Sequence, residues 1–303
     1  MSKKTLYLHI GYPKTATTSL QDYFFSQLTE VEYIGKPYKR EWQKNLYDII
    51  FKGSKINLKI QSKSKKLIWS EENFLKFQFY KDNAIIKRLE KIKNIFFGYE
   101  IIILITLRKH SDLLKSTFQQ FQEELIKNKI NVFELSSKNQ NSNLNENYIS
   151  FIEMFDFYNL YQNLLKLFNK NQIHFLFYEK LVENENKFLN EINQILNLET
   201  KNLILKKKNQ TNQKYKLSHV IKRFLKYLIK ILKKKHLINF LFIHRYFYFI
   251  KVILSYSFPR THILNIQKLK HFKFFYTEVY FDNLKKFKDP VQKNLKDYDY
   301  FNN

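Results

Sequence analysis

Strand-like and helix-like hydrophobic patterns alternate over residues 1–200 of the chain. Polar and apolar side chains alternate over residues 5–10, and a short apolar run at 66–69 ends at a polar turn, so each is predicted to be a strand. The continuous apolar run at 100–108 is typical of a strand that is covered on both faces of a parallel sheet. A fourth strand is predicted over residues 173–179.

Between the strands, apolar residues recur at spacings of three to four, which is the period of a helix with one buried face. The first such helix follows a run of hydroxyl residues and carries on one face Leu20, Tyr23, Phe24 and Leu28. Others are predicted over 84–97, from Asp112 onwards behind a Ser111 cap, and over 148–168. Strands that alternate with helices predict an α/β fold with a mainly parallel central sheet.

Two stretches show neither period. Residues 29–65 contain the breakers Gly35, Pro37 and Gly53 and are predicted to be irregular. Residues 136–147 are almost entirely polar and are predicted to form a loop. Because binding residues are often carried by loops on a rigid scaffold, both stretches and the C-terminal third are candidates for recognising a substrate.

The composition is that of a globular protein with a strongly basic C-terminal third. Of the 303 residues 44% are hydrophobic, and the lack of cysteine excludes disulfides, thiol catalysis and cysteine metal sites. The formal charge of +26 is unevenly spread, since residues 201–277 contain 19 Lys and Arg and no Asp or Glu. We predict a single domain over residues 1–303 that carries this basic, mainly helical segment.

Residues 218–235 within the basic segment are predicted to form an amphipathic helix. Apolar residues recur on one face and lysines on another, which is typical of a helix that lies on an anionic membrane surface. An ordinary domain helix with a solvated lysine face explains the pattern equally well. The chain has no charge-free window of about 18 residues and no apolar signal-peptide core at its start. We therefore expect a cytoplasmic protein, with peripheral attachment to the inner membrane surface as one option.

The stretch between the first strand and the first helix has the chemistry of an anion-binding corner. A turn at residues 11–14 ends in Lys14, and hydroxyl residues follow at the helix start. Backbone N–H groups at a helix start, a lysine charge and threonine donors all favour an anion. The alternative is a structural corner whose threonines serve only as caps. The nucleoside triphosphate loop G-x-x-x-x-G-K-[ST] is absent, since only Gly11 precedes the lysine.

The letters G-Y-P-K-T-A-T-T-S at residues 11–19 resemble the 5′-phosphosulfate loop of sulfotransferases. These enzymes use 3′-phosphoadenosine 5′-phosphosulfate (PAPS) and commonly show P-K-[ST]-G-T-T after the first strand. The resemblance implies a P-loop-like three-layer fold and a cofactor-binding loop made of Lys14, Thr15, Ala16, Thr17 and Thr18. Ala16 stands where glycine is common, and we expect it to be helical, a conformation in which alanine is unstrained.

Two further matches extend the resemblance to about residues 5–181. Arg108 ends a predicted strand and Ser116 follows eight residues later, as in the 3′-phosphate site of sulfotransferases. A guanidinium fork and a hydroxyl suit a terminal phosphate. The letters F-Y-E-K-L at 177–181 resemble the family's Y-E-[DK]-L, which implies that Tyr178 contacts the adenine. A plain core role for Tyr178 is the alternative.

The letters S-E-E-N at residues 70–73 supply a candidate general base. They resemble the S-x-E motif of bacterial and carbohydrate-type sulfotransferases, which places Glu72 as the base and leaves Glu71 as the alternative. A solvated acidic turn that caps the next helix is the structural explanation. His9 is a rival base, but it lies inside the first predicted strand, so we expect it to be packed. His110 is expected to be a bystander.

Together these features predict transfer of a sulfuryl group from PAPS to a hydroxyl of an acceptor. Lys14 would stabilise charge on the leaving group and Glu72 would take the acceptor proton. The acceptor is expected to be a carbohydrate, as a glycan or glycolipid, and no metal is needed. A P-loop-like nucleotide kinase should carry the usual phosphate loop and Mg²⁺-binding acids. A basic nucleic-acid-binding protein is the other alternative, but no recognised module is present, so no nucleic-acid partner is expected.

Overall fold

The computed structural model describes residues 3–75, 84–110, 112–113, 116–117, 154–199, 205, 214–216, 257–259, 284–287, 291–298 and 300. The predicted loop at 136–147 and the predicted basic helix at 218–235 lie outside these residues. The chain divides into two units, which are residues 1–208 with 272–303, and residues 209–271. The first unit carries all the predicted site residues.

A five-stranded parallel sheet forms the centre of the first unit. Its strands are β1 (Lys4–His9), β2 (Glu32–Ile34), β3 (Lys66–Ser70), β4 (Tyr99–Leu107) and β5 (Ile173–Phe177). They are arranged in the order β2-β3-β1-β4-β5, and every neighbouring pair is parallel. Because all strands run the same way, the segments that follow β1, β3, β4 and β5 leave the sheet at one edge.

Seven helices accompany the sheet among the described residues of this unit. They are α1 (Thr17–Tyr23), α2 (Glu41–Lys52), α3 (Ala84–Ile95), α4 (Phe157–Leu165), α5 (Tyr178–Glu183), α6 (Glu185–Leu196) and α7 (Val291–Asp297). Alternate β1 residues face two separate hydrophobic cores: Leu6 and Leu8 pack with α2, α3, α4 and α7, while Tyr7 packs with α1 and α6. This confirms the predicted three-layer α/β fold.

The prediction of an irregular stretch at residues 29–65 was wrong. It contains β2 and the twelve-residue α2, whose buried residues Trp42, Leu46 and Ile50 recur every four positions. Gly53 ends α2 in the left-handed region, with φ of 72°, and donates its N–H to the Asp48 carbonyl. Gly35 follows the end of β2 and Gly53 follows the end of α2, so these breakers mark where regular structure ends and do not show that the whole stretch is irregular.

Three predicted boundaries also differ. The helix predicted over 148–168 begins at Phe157, behind the Asp156 cap, and ends at Leu165. The first helix ends at Tyr23 and continues as a 3₁₀ turn over Phe25–Gln27, so it is shorter than the pattern to Leu28 predicted. Strand β5 ends at Phe177, and Tyr178 begins helix α5. The Y-E pair therefore lies in the first turn of a helix, just beyond the carboxyl edge of the sheet.

In the second unit the structure describes one antiparallel pair, β6 (Lys214–Lys216) with β7 (Ser257–Pro259). Across the ranges that the structure covers, no helix is both long enough and apolar enough to cross a membrane.

Candidate functional site

The loop between β1 and α1 has an unusual backbone at two positions. Lys14 has φ of 69° and Ala16 has φ of 61°, both in the left-handed region that L-residues rarely adopt. Ala16 is the N-cap of α1 and is not helical, so the expectation of an unstrained helical alanine was wrong. Thr15 between them has negative φ, so the sign of φ alternates along residues 14–16.

The Tyr12 carbonyl holds this loop together through hydrogen bonds from residues within the loop. It accepts hydrogen bonds from the Thr15 N–H (3.3 Å), the Thr15 hydroxyl (2.6 Å) and the Thr17 hydroxyl (3.4 Å). Both threonines are buried, whereas Lys14 and Thr18 are half-buried. The hydroxyls of Thr15 and Thr17 therefore serve the loop's own fold, and its outward groups are the backbone, Lys14 and Thr18.

Gly11 is the position at which this corner tolerates no side chain. A Cβ there would lie 2.5 Å from Thr17 Oγ1 and 3.2 Å from the ring of His9. The close approach lets the loop pack directly over the end of β1. Glycine is required here for space, since its φ is not positive.

Arg108 connects this loop to two other predicted site residues. Its Nη1 donates to the Lys14 carbonyl (2.9 Å) and contacts the Ser116 hydroxyl (3.4 Å). The guanidinium carbon lies 4.5 Å from the centroid of the Tyr178 ring, which is a cation–π contact. The structure thus brings Lys14, Arg108, Ser116 and Tyr178 together from three separate segments. The Arg108 Nε is buried and has no hydrogen-bond partner among the described residues.

Glu179, which the sequence reasoning passed over, holds the surroundings of Arg108. Its Oε1 accepts from the Lys109 N–H (2.8 Å), and its Oε2 accepts from the Tyr300 hydroxyl (2.7 Å). The carboxylate of the residue after Tyr178 therefore links the residue after Arg108 to the C-terminal segment. The letter E of the Y-E pair was visible in the sequence, but Tyr300 has no local pattern that marks it.

The two candidate bases occupy different environments. Glu71 is 4% exposed, and its carboxylate accepts from the Asn73 N–H (3.1 Å) and the Tyr38 hydroxyl (3.3 Å). Burial raises the pKa of Glu71, an effect that the nearby Lys36 charge partly offsets. Glu72 begins a 3₁₀ turn, is half-buried, and makes no side-chain hydrogen bond or ion pair within the described part of the chain. The acidic turn does cap the following helix, through Glu71, but that carboxylate is buried.

His9 is packed, as expected. Its Nδ1 lies 2.7 Å from the Ser70 hydroxyl and its Nε2 lies 2.8 Å from the Thr106 hydroxyl, so it joins β1 to β3 and β4. Burial lowers the pKa of His9 to about 3, which leaves the ring neutral. His110 is also buried and stacks on Phe157, and burial lowers its pKa to about 4. Neither ring has the basicity or exposure of a general base.

Among the residues that the structure places, no group of three His, Asp or Glu side chains is arranged to hold a metal ion. The carboxylates near the loop are Glu71 and Glu72, and Glu71 is committed to neutral hydrogen-bond donors. At this edge Arg108 and Lys14 supply positive charge, the Glu179 carboxylate lies beside Arg108 at the Lys109 N–H, and Glu71 and Glu72 lie at the end of β3.

No family model matches the chain, and no curated protein matches it in sequence. In structure it is similar to a sulfotransferase from Alicyclobacillus acidocaldarius (13% identity, TM-score 0.42), over 78% of this chain and 97% of that one. It is also similar to a mouse sulfotransferase complexed with PAP (13%, 0.34, 66% of this chain and 62% of that one). A third is retinol dehydratase in complex with androsterone and inactive cofactor PAP (14%, 0.36, 96% and 84%). At these scores the functional argument rests on the site itself.

Proposed function

We propose that the protein is a PAPS-dependent sulfotransferase that transfers a sulfuryl group to an acceptor hydroxyl. The observation that carries this proposal is the convergence at Arg108. Its guanidinium meets the β1–α1 loop at the Lys14 carbonyl while it also contacts Ser116 and stacks on Tyr178. PAPS carries anionic groups at its 5′ and 3′ positions and an aromatic base, and the site offers adjacent groups suited to each.

The Arg108 side of the site fits a terminal phosphate. The buried Nε has no hydrogen-bond partner among the described residues, so a bound phosphate could supply the acceptor for this donor. Arginine presents several N–H donors in a planar fork that matches phosphate oxygens. The Ser116 hydroxyl, which donates to its own helix at the Asp112 carbonyl (2.7 Å), stands beside that fork.

The loop side fits the phosphosulfate. Helix α1 begins at Thr17, so the N–H groups of Thr17 and Thr18 have no acceptor within the helix. Together with the Lys14 charge these two backbone donors suit an anionic group. PAPS would supply the sulfuryl group and a bisphosphate leaving group, and Lys14 would stabilise the negative charge that develops on the leaving oxygen.

Glu72 is the proposed general base. It lies just beyond β3, the neighbour of β1, at the same edge of the sheet. Glu71 would act as its support, because its buried carboxylate caps the turn that begins at Glu72 and is tied to Tyr38. If Glu71 were itself the base, its raised pKa would suit proton acceptance, so the two carboxylates need a direct comparison.

The acceptor is proposed to be a carbohydrate, as a free or lipid-linked glycan. This part rests on the S-x-E resemblance and on the aromatic side chains next to the carboxylates. The rings of Tyr38 and Tyr47 are half-buried with centroids 5.7 Å apart, and the Tyr47 hydroxyl accepts from Asn73 (2.8 Å). Aromatic faces flanked by hydroxyls suit a sugar ring. Attachment to an anionic membrane surface would depend on residues 218–235 and stays a prediction.

Calorimetric titration with 3′-phosphoadenosine 5′-phosphate (PAP), AMP, ATP and an oligonucleotide tests the proposal. We expect PAP to bind at least about tenfold more tightly than AMP, since a charged hydrogen bond contributes about 1.5–3 kcal/mol. Arg108→Ala should remove this preference. Because Arg108 also contacts the Lys14 carbonyl and the Tyr178 ring, the quantity to compare is the ratio of the PAP and AMP affinities. Equal affinities for PAP and AMP would contradict the 3′-phosphate assignment, and preferred ATP or oligonucleotide binding would favour a kinase or a nucleic-acid-binding protein. Turnover with labelled PAPS and a panel of glycans then identifies the acceptor.

A further inference from the structure

The C-terminal segment returns to the edge of the sheet that carries the candidate site. Tyr300 is 1% exposed, and its hydroxyl donates to Glu179 Oε2 at 2.7 Å. The other oxygen of that carboxylate accepts from the Lys109 N–H at 2.8 Å. Tyr300 is thus two hydrogen bonds away from the backbone of the residue next to Arg108.

Packing fixes the position of the Tyr300 ring. Leu295 of α7 is fully buried, and the Tyr300 N–H donates to its carbonyl (2.9 Å). The Tyr300 ring meets Phe177 edge to face at 5.8 Å, and Tyr298 stacks on the same phenylalanine at 5.9 Å. Because Phe177 directly precedes Tyr178, these contacts hold the C-terminal segment against the start of α5.

The electrostatics keep the Tyr300 hydroxyl a donor. Burial and the Glu179 charge raise the pKa of Tyr300 well above its ordinary value, so the phenol stays protonated. The Arg108 charge acts on the pKa of the same phenol in the opposite direction, but burial and the Glu179 charge outweigh it. Tyr300, Glu179 and Arg108 therefore form one neighbourhood around the start of α5.

We propose that Tyr300 is a positioning residue for the 3′-phosphate half of the site. Through Glu179 it holds the Lys109 amide, and with it the turn that orients Arg108 over Tyr178. An arginine that is already oriented loses less freedom when a phosphate binds, so affinity rises without a direct contact. This inference rests on the proposed function, because it assumes that Arg108 binds the 3′-phosphate of PAPS.

The test compares Tyr300→Phe with Tyr298→Phe by calorimetric titration of PAP and AMP. Tyr298 is the matched control, since its ring stacks on the same Phe177 but its hydroxyl makes no hydrogen bond among the described residues. We expect Tyr300→Phe to weaken PAP binding by about 3- to 10-fold, the worth of one hydrogen bond, and to leave AMP binding unchanged. Tyr298→Phe should change neither. In turnover assays the KM for PAPS should rise while kcat is kept.

A purely structural role predicts a different pattern. Equal loss of PAP and AMP affinity in Tyr300→Phe, or equal losses in the two tyrosine variants, would overturn the proposal. A double-mutant cycle with Glu179→Gln adds a second check, since Tyr300 acts through Glu179 and the two losses should not add. Additive losses in the double variant would also overturn it.

Hydrogen exchange at the Lys109 amide separates this inference from the proposed function. Its exchange should be faster in Tyr300→Phe and unchanged in Tyr298→Phe, whether or not any nucleotide binds. If the wild-type protein binds PAP no better than AMP, the proposed 3′-phosphate site fails and the positioning role for it fails too. If PAP binds as expected but Lys109 exchange is the same in all three proteins, only the role of Tyr300 is overturned.

Discussion

The two halves of the candidate site are built in different ways. The loop between β1 and α1 closes on itself through hydrogen bonds from Thr15 and Thr17 to the Tyr12 carbonyl, all within five residues. The Arg108 half is assembled from the ends of β4 and β5 and from the C-terminal Tyr300, which are distant in the sequence. The first half depends on local backbone conformation, whereas the second depends on tertiary packing.

This difference predicts how each half responds to substitution. In the local half, a single substitution changes either the charge, as at Lys14, or the backbone strain, as at Ala16. The rest of the protein should be unaffected. In the assembled half, the Glu179 carboxylate accepts from both the Lys109 N–H and the Tyr300 hydroxyl, so the loss of one hydrogen bond affects the other. Chemical steps should therefore depend most on the loop and the β3 turn, and nucleotide discrimination on the Arg108 half.

The largest expected effect is that of Lys14→Ala on turnover. Removing a charge that stabilises the leaving group should lower kcat by at least about 10²- to 10³-fold, the range seen when one such group is lost. The melting temperature should stay close to that of the wild type, because the hydrogen bonds of Thr15 and Thr17 to the Tyr12 carbonyl, which close the loop, are kept. Lys44→Ala on the exposed face of α2 is the control. Wild-type turnover in Lys14→Ala would exclude the proposed mechanism.

A comparison of Glu72→Gln with Glu71→Gln assigns the base. Loss of a general base lowers the rate by about 10²- to 10⁴-fold, and we expect this loss in Glu72→Gln. Glu71→Gln should lose much less, since glutamine still offers an oxygen to the Asn73 N–H and the Tyr38 hydroxyl. Initial rates with saturating PAPS give the measurement. The reverse order of rates would move the base to Glu71.

The free energy of unfolding of the protein should fall as the pH is lowered. The pKa values of His9 and His110 are about 3 and about 4 in the folded protein, below the ordinary value of histidine. The unfolded chain therefore binds more protons as the pH falls below about 6.5, and each histidine lowers the free energy of unfolding by up to about 1.4 kcal/mol per pH unit. The raised pKa of Glu71 acts in the opposite direction, because the folded carboxyl binds its proton first.

Urea denaturation at pH 7, 6 and 5 measures this dependence. His9→Gln keeps a donor and an acceptor for Ser70 and Thr106 but does not titrate, so its stability should depend less steeply on pH. His110→Gln provides the same comparison at a histidine that does not join β1 to β3 and β4. Parallel pH profiles for the wild type and both variants would show that neither histidine is held neutral by the fold.

The smallest expected effect is that of Ala16→Gly on stability. A left-handed L-residue costs about 1–2 kcal/mol, and glycine removes that cost while it adds some freedom to the unfolded chain. We expect a gain of at most about 1 kcal/mol, which corresponds to a few degrees in melting temperature. Ala84→Gly, at the start of α3, is the opposite control and should be destabilising. A loss of stability in Ala16→Gly would contradict the observed φ of 61°.

Much of the fold could be predicted from local patterns. Buried strands such as β4 contain a continuous apolar run, here over residues 101–105, so their existence and approximate ends are clear. Helix α2 was missed although Trp42, Leu46 and Ile50 recur every four positions, because the breakers on either side of it indicated an irregular stretch. In the site, the resemblance to sulfotransferase motifs suggested Arg108, Ser116 and Tyr178, and the structure places these three side chains together.

The sequence by itself determined the alternation of strands and helices and the chemistry of the loop, because both depend on residues within a few positions of one another. Only the tertiary structure decided the left-handed Ala16, the burial of Glu71 and the hydrogen bond from Tyr300 to Glu179. The reason is that burial and backbone strain depend on which distant segments meet at the sheet edge. No local pattern around residue 300 specifies that meeting, which follows from packing α7 against the core.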